Sequence, residues 1–395
     1  MSVSTSHRNR VASHIASLPK SGIRDFFELV NQMDDVISLG VGEPDFVTPW
    51  GIREATIYGL EQGHTSYTSN LGLEVLRREI CHYLANEYDC QYDPKTECIV
   101  TVGVSEAIDL AVRAIIEPGD EVIYHEPSYV SYNPVIRMAH GTPVAVMTKK
   151  RDDFALLAED LEAAITPKTR AVIINFPNNP TGANLTFAQK QAIAEVIIRH
   201  DLILITDEIY SELVYDEEPT PAIASLPGMK ERTLFLHGFS KAYAMTGYRI
   251  GYACGPHDLI DAMMKIHQYT MLCAPIMAQE AAIEALRHGK RERERMRREY
   301  QQRRNIIVNR MRQLGFDVML PKGAFYIFAD ISGRVNMPSV QFARELLMQE
   351  KVAVVPGTAF CHNDGNAFIR CAYATPISVI ETACERIRRF IDSLS

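Results

Sequence analysis

A lysine stands between a hydroxyl group and a guanidinium in the segment that contains Ser240, Lys241 and Arg249. An apolar run at 233–236 leads into this segment and is predicted to be a short buried strand. A lysine amine can form a Schiff base with a carbonyl group, and the two flanking groups can bind a phosphate. Because most lysines are only surface charges, the segment predicts such chemistry only if other segments complete a site.

Two further apolar runs end in polar groups that suit a heterocyclic ring. Asn179 follows the run at 171–174 in a turn fixed by prolines and a glycine, and its amide could donate to a phenolic oxygen. Asp207 follows the run at 202–206, where its carboxylate could keep a pyridinium nitrogen protonated. Tyr210 could reach the same ring oxygen as Asn179. The alternatives are an ordinary Asn-Pro turn and, for Asp207, a helix N-cap.

Two more runs end in groups for a phosphate and for ring stacking. Val104 and Ser105 open a helical pattern that continues to Ile115, and backbone amides at a helix start attract phosphate. Tyr129 follows the run at 121–124, and its ring could stack on a flat heterocycle. Each of these signals is weak alone, since small-residue turns and packed tyrosines are common.

The order of these segments is as informative as their residues. Apolar runs alternate with helical stretches, which predicts an α/β fold with a parallel sheet covered on both faces. In such sheets, ligands bind outside the carboxyl ends of the strands. All five segments are expected at that edge, so together they predict one site for pyridoxal 5′-phosphate.

The chain resembles the class I and II aminotransferases, which have the aspartate aminotransferase-like fold, fold type I. The resemblance extends from the segment at 37–46, which reads ISLGVGEPDF, to Phe368-Ile369-Arg370. It implies a pyridoxal-phosphate-dependent transaminase of the α/β class. Its large domain would contain a mostly parallel central sheet, and a smaller α+β domain would follow.

The resemblance also implies how the cofactor is held. Lys241 would carry it as an internal aldimine and move the substrate α-proton, with Asp207 and Tyr210 as the other catalytic residues. The ring would be bound by Asp207, Tyr210, Asn179 and Tyr129. The phosphate would be bound by Ser240, Arg249 and the helix start at Val104 and Ser105.

Substrate and subunit contacts follow from the same resemblance. Arg370 would form paired hydrogen bonds with the substrate α-carboxylate, a task suited to a planar guanidinium. Asn179 and Gly42 would line the substrate mouth. Tyr67 would reach the phosphate of the neighbouring subunit, so a homodimer is expected.

The predicted reaction moves an amino group from an L-amino acid, whether aromatic, aspartate or broad, to a 2-oxo acid such as 2-oxoglutarate in a ping-pong cycle. Ser105 stands where some aspartate-preferring relatives have lysine, which disfavours strict aspartate specificity. Many relatives have serine where Gly238 stands and tryptophan where Tyr248 stands. The segments at 21–24, 38–46 and 267–269 look closest to aromatic-type and N-acetyl-diaminopimelate aminotransferases.

Three alternatives stay open at this point. The first is an N-acetyl-diaminopimelate aminotransferase, and the second is a C–S β-lyase that uses the same cofactor site. The third is a non-catalytic regulator with this fold as an effector-binding domain. About 36 residues precede Ile37, which is too few for a helix-turn-helix domain, so the regulator is disfavoured.

Composition agrees with a globular enzyme of small molecules. The 395 residues are 47% hydrophobic and 23% charged, with a net charge of −8 that disfavours nucleic acid as a partner. No signal peptide and no apolar run of membrane-spanning length is evident, so a cytoplasmic protein is expected. The eight cysteines form no Cys-x-x-Cys pair, which favours reduced thiols over disulfides or a metal site.

Length predicts more than one domain. We expect residues 1–45 to form an arm and helix that pack with the small domain, and residues 46–285 to form the large cofactor-binding domain. Residues 286–395 would form the bridging helix and the small C-terminal domain. One long helix is predicted from Gln279 to Leu314, with a basic stretch at 287–304 interpreted as a solvated face with Glu–Arg pairs.

Overall fold

The computed structural model describes residues 10–18, 30, 33–216, 220–361 and 364–394. Predictions for the segment at 21–24, and for about half of the N-terminal arm, therefore lie outside the described residues. No helix in the described ranges is long and apolar enough to cross a membrane.

The strands are numbered in chain order. They are β1 Ile37–Ser38, β2 Cys98–Thr101, β3 Glu121–Glu126, β4 Thr142–Met147, β5 Thr169–Ile174, β6 Ile203–Asp207, β7 Thr233–Gly238, β8 Gly251–Cys254, β9 Asp317–Val318, β10 Tyr326–Asp330, β11 Val352–Ala353, β12 Val355–Pro356 and β13 Phe368–Ala372.

The α-helices are numbered in the same way. They are α1 Ser13–Ala16, α2 Trp50–Glu61, α3 Glu74–Tyr88, α4 Gly103–Ile115, α5 Tyr132–Met138, α6 Ala158–Ala163, α7 Phe187–Arg199, α8 His257–Thr270, α9 Ile276–His288, α10 Lys290–Gln313, α11 Ser339–Glu350 and α12 Ile377–Ser393. Short 3₁₀ turns lie at Lys150–Asp152, Ile223–Ser225, Lys230–Arg232, Thr246–Tyr248, Gly357–Ala359 and Gly365–Ala367.

A seven-stranded sheet forms the centre of the large domain, in the order β2-β8-β7-β6-β5-β3-β4. Every neighbouring pair is parallel except those of β8, which runs antiparallel to both β7 and β2. All residues of β2, β7 and β8 are buried. The residues of β3, β5 and β6 are also buried, apart from the first one or two of each strand. Continuous apolar runs form these strands because helices cover both faces of the sheet. The predicted parallel α/β sheet is confirmed.

One edge of this sheet gathers the strand ends. Because β8 reverses direction between β7 and β2, the strands β2, β3, β5, β6 and β7 all point the same way. Their carboxyl ends are at Thr101, Glu126, Ile174, Asp207 and Gly238. β8 starts at this edge rather than ending there, so the residues just before Gly251 also lie there.

The C-terminal part contains a four-stranded antiparallel sheet in the order β12-β13-β10-β9. Arg370, in the middle strand β13, lies opposite Phe328 and Val355. β1 pairs with β11 in parallel, which joins the segment at 37–38 to the C-terminal part.

The single helix predicted from 279 to 314 is wrong, because α9 and α10 are separate helices that meet at Gly289. A Cβ at Gly289 would come within 2.5 Å of the Ala285 carbonyl oxygen and 2.8 Å of the Tyr243 ring. This junction therefore depends on a close packing contact. The charged pattern continues across Gly289 and does not reveal it.

The basic stretch of α10 is only partly the solvated face that was predicted. Arg295 pairs with Glu292 and Glu299 at the surface, as expected. Arg293 and Arg304, however, are buried. Arg304 donates to the Pro321 carbonyl at 2.9 Å, so part of the positive charge ties the helix to the protein rather than to water.

Candidate active site

A cavity of about 650 Å³ opens at the carboxyl edge of the large sheet. Residues from the sheet edge, the 40–43 segment and the C-terminal part line it together. The predicted site residues among them are Gly42, Val104, Ser105, Tyr129, Asn179, Asp207, Tyr210, Ser240, Lys241, Arg249 and Arg370. Of the predicted set, only Tyr67 lies outside the lining.

Lys241 follows β7 and extends its amine into this cavity. Its Nζ donates to the Gly42 carbonyl oxygen at 2.7 Å. Gly42 has no room for a side chain, since a Cβ there would lie 2.5 Å from the Tyr326 hydroxyl. Burial lowers the pKa of Lys241 to about 8, so a substantial fraction of the amine is neutral near physiological pH and able to act as a nucleophile.

Asp207 is the last residue of β6 and its carboxyl group is buried at the base of the cavity. Burial raises the pKa of Asp207 to about 6. Two donors oppose this shift: the Tyr132 hydroxyl at 2.7 Å from Oδ2 and the Ile209 N–H at 3.2 Å from Oδ1. No helix begins at Asp207 in the described chain. Its carboxylate holds a tight turn and remains available to a cationic group.

Tyr132 was missed by the sequence reasoning. It is the first residue of α5, three positions after Tyr129, and it is fully buried. Its ring packs edge-on against Tyr129, with centroids 5.7 Å apart. A buried tyrosine at a helix start has no distinguishing pattern; only the contact with Asp207 shows its role.

Asn175 is a second residue that the sequence did not single out. Its Nδ2 donates to the Asp207 carbonyl at 2.7 Å, and its Oδ1 accepts from the Asn179 N–H at 3.2 Å. One side chain therefore fixes the asparagine turn to the end of β6. Tyr210 is held in another way, by a 2.8 Å hydrogen bond between its hydroxyl and that of Tyr326 from β10.

The start of α4 packs directly against Arg249. Gly103 has φ of +75°, and a Cβ there would lie 2.9 Å from the Arg249 Nη2. Arg249 itself adopts φ of +51°, and its Nη1 donates to the Thr246 carbonyl at 3.1 Å. A guanidinium beside the free N–H groups of a helix start is suited to a dianion such as phosphate. Ser240 lies buried in the same lining.

Arg370 supplies a fixed cation on the opposite wall. Its Nη1 donates to Asn179 Oδ1 at 2.9 Å and its Nη2 to the Gly40 carbonyl at 2.6 Å. The guanidinium carbon lies 4.6 Å from the ring centroids of both Tyr326 and Phe360. Its buried Nε finds no partner among the described residues. Two of the five N–H groups are used in these bonds, so donors and the positive charge remain for a carboxylate in the cavity.

Tyr67 stands apart from the cavity in the single chain and is 82% exposed. Its loop is tied to the 272 loop by the Asn70 Nδ2, which donates to the Leu272 carbonyl at 2.7 Å. Tyr269, on the same side, is 87% exposed. Both large rings are therefore exposed in the single chain.

These groups fit pyridoxal 5′-phosphate. The cavity has an amine with a lowered pKa, a buried carboxylate, an anion-binding helix start and the half-buried ring of Tyr129. When bound, this cofactor supplies an aldehyde for amines and a ring that accepts electrons. Lys241 would hold the aldehyde, Asp207 the ring nitrogen, and Ser240 and Arg249 the phosphate.

Comparison with known proteins decides the family. The family model for aminotransferase class I and II matches residues 34–387. The chain belongs to the class I and II aminotransferases. It is a pyridoxal-phosphate-dependent transaminase that acts on amino acids and 2-oxo acids.

Individual relatives match over nearly their whole length. The putative aminotransferase YugH of Bacillus subtilis (strain 168) is 52% identical over 96% of this chain and 98% of its own. The aspartate aminotransferase of Pyrococcus abyssi is 40% identical, over 94% and 95%. A crystal structure of an aromatic aminotransferase from Pyrococcus horikoshii OT3 has 41% identity and a TM-score of 0.88, covering 94% of this chain and 99% of that one. The fold-type-I prediction is confirmed.

We expect the Lys241 amine to titrate near pH 8 in the cofactor-free enzyme. Its pKa is lowered, so the neutral and acylable form appears at lower pH than for an ordinary lysine of pKa about 10.4. Brief acetic anhydride labelling across pH 6–11, followed by peptide mass spectrometry, measures this. The exposed Lys168 serves as an internal reference. A midpoint above about 10 for Lys241 contradicts the assignment.

A second labelling experiment uses the cofactor-loaded enzyme. Borohydride reduction should attach the cofactor to the peptide that contains Lys241, and Lys241→Ala should abolish transamination while still allowing the cofactor to bind. Attachment to any other lysine would overturn the assignment.

Tyr132→Phe should raise the pKa of Asp207 further, because it removes a hydrogen bond that favours the charged carboxylate. A hydrogen bond to a charged group is worth about 1.5–3 kcal/mol, which corresponds to about one to two pH units. Carbon-13 NMR titration of aspartate carboxyls in the cofactor-free protein measures the shift, with Asp207→Asn assigning the signal.

Tyr124→Phe is the matched control for this substitution. Tyr124 is also a buried tyrosine that donates to a carboxylate, at 2.6 Å from Glu126 Oε1, and it does not contact Asp207. It should leave the Asp207 titration unchanged. An unchanged Asp207 pKa in Tyr132→Phe would show that this hydroxyl does not tune the carboxylate.

Proposed function

We propose that this transaminase takes L-amino acids with large apolar or aromatic side chains as donors and a 2-oxo acid such as 2-oxoglutarate as acceptor, in a ping-pong cycle. The observation that carries the proposal is the set of cations around the cavity. Among the described lining residues these are Lys241, Arg249 and Arg370. Each has a task common to all substrates, which leaves no cation there for a side-chain carboxylate.

The remaining wall supports the same preference. Its apolar members in the lining are Val41, Ile108, Val130, Ile209 and Phe360. The lining also contains an acidic residue, Glu43, which accepts a hydrogen bond from Thr246. A substrate carboxylate beside this wall would lose water and meet a like charge, whereas an aromatic ring would bury apolar surface.

The relatives support transamination but do not select the donor. One similar protein is named an aspartate aminotransferase and another an aromatic aminotransferase, at 40% and 41% identity. The sequence identities to these two relatives are nearly equal and do not distinguish an aspartate donor from an aromatic donor. The choice rests on the residues around the substrate side chain.

The chain's own residues divide the work of the reaction. Lys241 would accept the α-proton as a base and return it as an acid, a role for which a pKa near 8 is well matched. Asp207 would keep the cofactor ring nitrogen protonated by its negative charge. Arg370 would orient the substrate through its α-carboxylate, so that the scissile C–H bond faces the amine.

We further propose a homodimer in which Tyr67 completes the partner's site. Ser105 and Arg249 are exposed in the single chain although they line the cavity, so the cavity is open on that side. Tyr67 and Tyr269 present exposed rings. Closed two-fold dimers are the commonest assembly, and such a contact would cover both the opening and the rings.

A reducing, cytoplasmic location is part of the proposal. Cys81, Cys98 and Cys254 lie together as thiols rather than as disulfides. Closely placed thiols persist where glutathione and thioredoxin keep them reduced.

A single-turnover donor screen tests the substrate proposal. Phenylalanine and tyrosine should each yield 2-oxo acid at least about tenfold faster than aspartate at equal concentration, a difference of ~1.4 kcal/mol. The product is quantified as one 2-oxo acid per site, and release of ammonia would instead indicate lyase chemistry. The preference fails if aspartate reacts faster than both aromatic donors.

Arg370→Lys is the control in the same screen. It keeps the charge but loses the planar guanidinium, so it should raise the apparent KM for every donor by a similar factor. A selective effect on one donor would show that Arg370 reads the side chain rather than the α-carboxylate.

Subunit mixing tests the contribution of Tyr67 to the neighbouring site. The Lys241→Ala and Tyr67→Ala variants are purified as separate homodimers, each of which should be inactive or weakened. The two are then mixed, dissociated into subunits and allowed to reassociate. If Tyr67 acts across the interface, a mixed dimer regains one complete site, and random pairing restores about one quarter of wild-type activity. A mixture of Tyr269→Ala with Lys241→Ala is the comparison for the Tyr67→Ala mixture, because Tyr269 is the other exposed tyrosine on the same surface. No recovery, or a fully active monomer in sedimentation, contradicts the proposal.

A further inference from the structure

Three cysteine sulfurs that are distant in sequence meet inside the large domain. Cys81 lies on α3, Cys98 begins β2 and Cys254 ends β8. Their sulfur atoms all lie within 4.8 Å of one another, and all three residues are buried. Cys98 and Cys254 are direct partners in the antiparallel ladder, so the sheet itself fixes two of the three positions.

The sulfurs interact with one another rather than only packing as small apolar groups. The thiols of Cys254 and Cys98 hydrogen-bond to Cys81 and lower its pKa. Burial raises the pKa of both Cys98 and Cys254. A thiophilic ion can bind such a set of three sulfurs once all three are deprotonated.

The size of the cluster fits one ion bound by three sulfurs. Bonds from thiolate sulfur to zinc are about 2.3 Å, so three sulfurs around an ion of that size lie about 4 Å apart. Thiolates select soft ions over hard ones. We propose that Cys81, Cys98 and Cys254 form a binding site for a soft, thiophilic ion in three-coordinate geometry, separate from the cofactor cavity.

Charge favours a trivalent ion at this site. Three thiolates with a monovalent ion carry two net negative charges, and burying uncompensated charge costs several kcal/mol per ion even after relaxation. Three thiolates with a trivalent ion are neutral. With arsenite, As(OH)₃, three As–O bonds break and three As–S bonds form. Starting from three thiols, the three thiol protons leave with the three hydroxides as three water molecules, and no atom changes oxidation state.

Access to the cluster is through local motion. Cys81 is 7% exposed, whereas Cys98 and Cys254 are fully buried. Local opening is therefore needed for an ion to enter, so binding should be slow and stoichiometric.

Arsenite binding to the cofactor-loaded enzyme tests the proposal. After incubation and gel filtration, elemental analysis should find one arsenic per chain, and arsenic X-ray absorption should find three sulfur neighbours. These two measurements on the wild type need no variant. Absence of bound arsenic, or fewer than three sulfur neighbours, overturns the proposal.

Single cysteine substitutions locate the site. Cys81→Ala, Cys98→Ala and Cys254→Ala should each weaken arsenic retention at least about tenfold, which corresponds to ~1.4 kcal/mol. Cys273→Ala, which removes a more accessible thiol outside the cluster, is the matched control and should retain one equivalent. Loss of binding in Cys273→Ala, with retention in the cluster variants, would place the ion elsewhere and refute the site.

Discussion

A buried carboxylate at the end of β6 is the interaction on which the rest of the site depends. Asp207 is withdrawn from water, and burial alone would favour its neutral form. The Tyr132 hydroxyl and the Ile209 N–H limit that effect, and Asn175 holds the Asp207 backbone carbonyl. A carboxylate held in this way has one strong remaining preference, which is for a cation placed above it in the cavity.

The opposed shifts of Asp207 and Lys241 follow from the same cause. Burial raises the pKa of the acid to about 6 and lowers that of the amine to about 8. The two values converge on physiological pH, where a proton can be gained or lost at little cost. Arg370 experiences the same burial, and its pKa is lowered from a much higher starting value, so it remains a permanent cation. One environment thus yields two groups that can exchange protons and one that cannot.

Sequence was sufficient for the groups that follow strands along the chain. Lys241, Asp207, Asn179, Tyr129 and the helix start at Val104 were predicted because each comes directly after an apolar run, and parallel strands bring such positions to one edge. Among the supporting groups, Asn175 also follows a strand directly, whereas Tyr132 and Tyr326 do not.

The groups that escaped prediction reach the site through long-range contacts. Tyr132 comes from the start of a short helix, whereas Tyr326 and Phe360 come from the C-terminal part and enclose Arg370 from both sides. Their local sequence is that of ordinary core aromatics. The burial of Arg293 and Arg304 was missed for a similar reason, since the partners that accept their charge lie far away in the chain.

The reversal of β8 connects the cofactor cavity with the cysteine cluster. Because β8 is antiparallel, its first residue lies at the cavity edge, two positions after Arg249, and its last residue, Cys254, lies opposite the first residue of β2. Sequence spacing indicated no metal site, since 17 and 156 positions separate the three cysteines. The antiparallel pairing of β2 with β8 brings Cys98 and Cys254 together in space. The four-residue strand β8 therefore begins two positions after Arg249, the proposed phosphate-binding residue, and ends at Cys254, a proposed sulfur ligand, so an ion at the cluster would act on the strand pair next to the cofactor cavity.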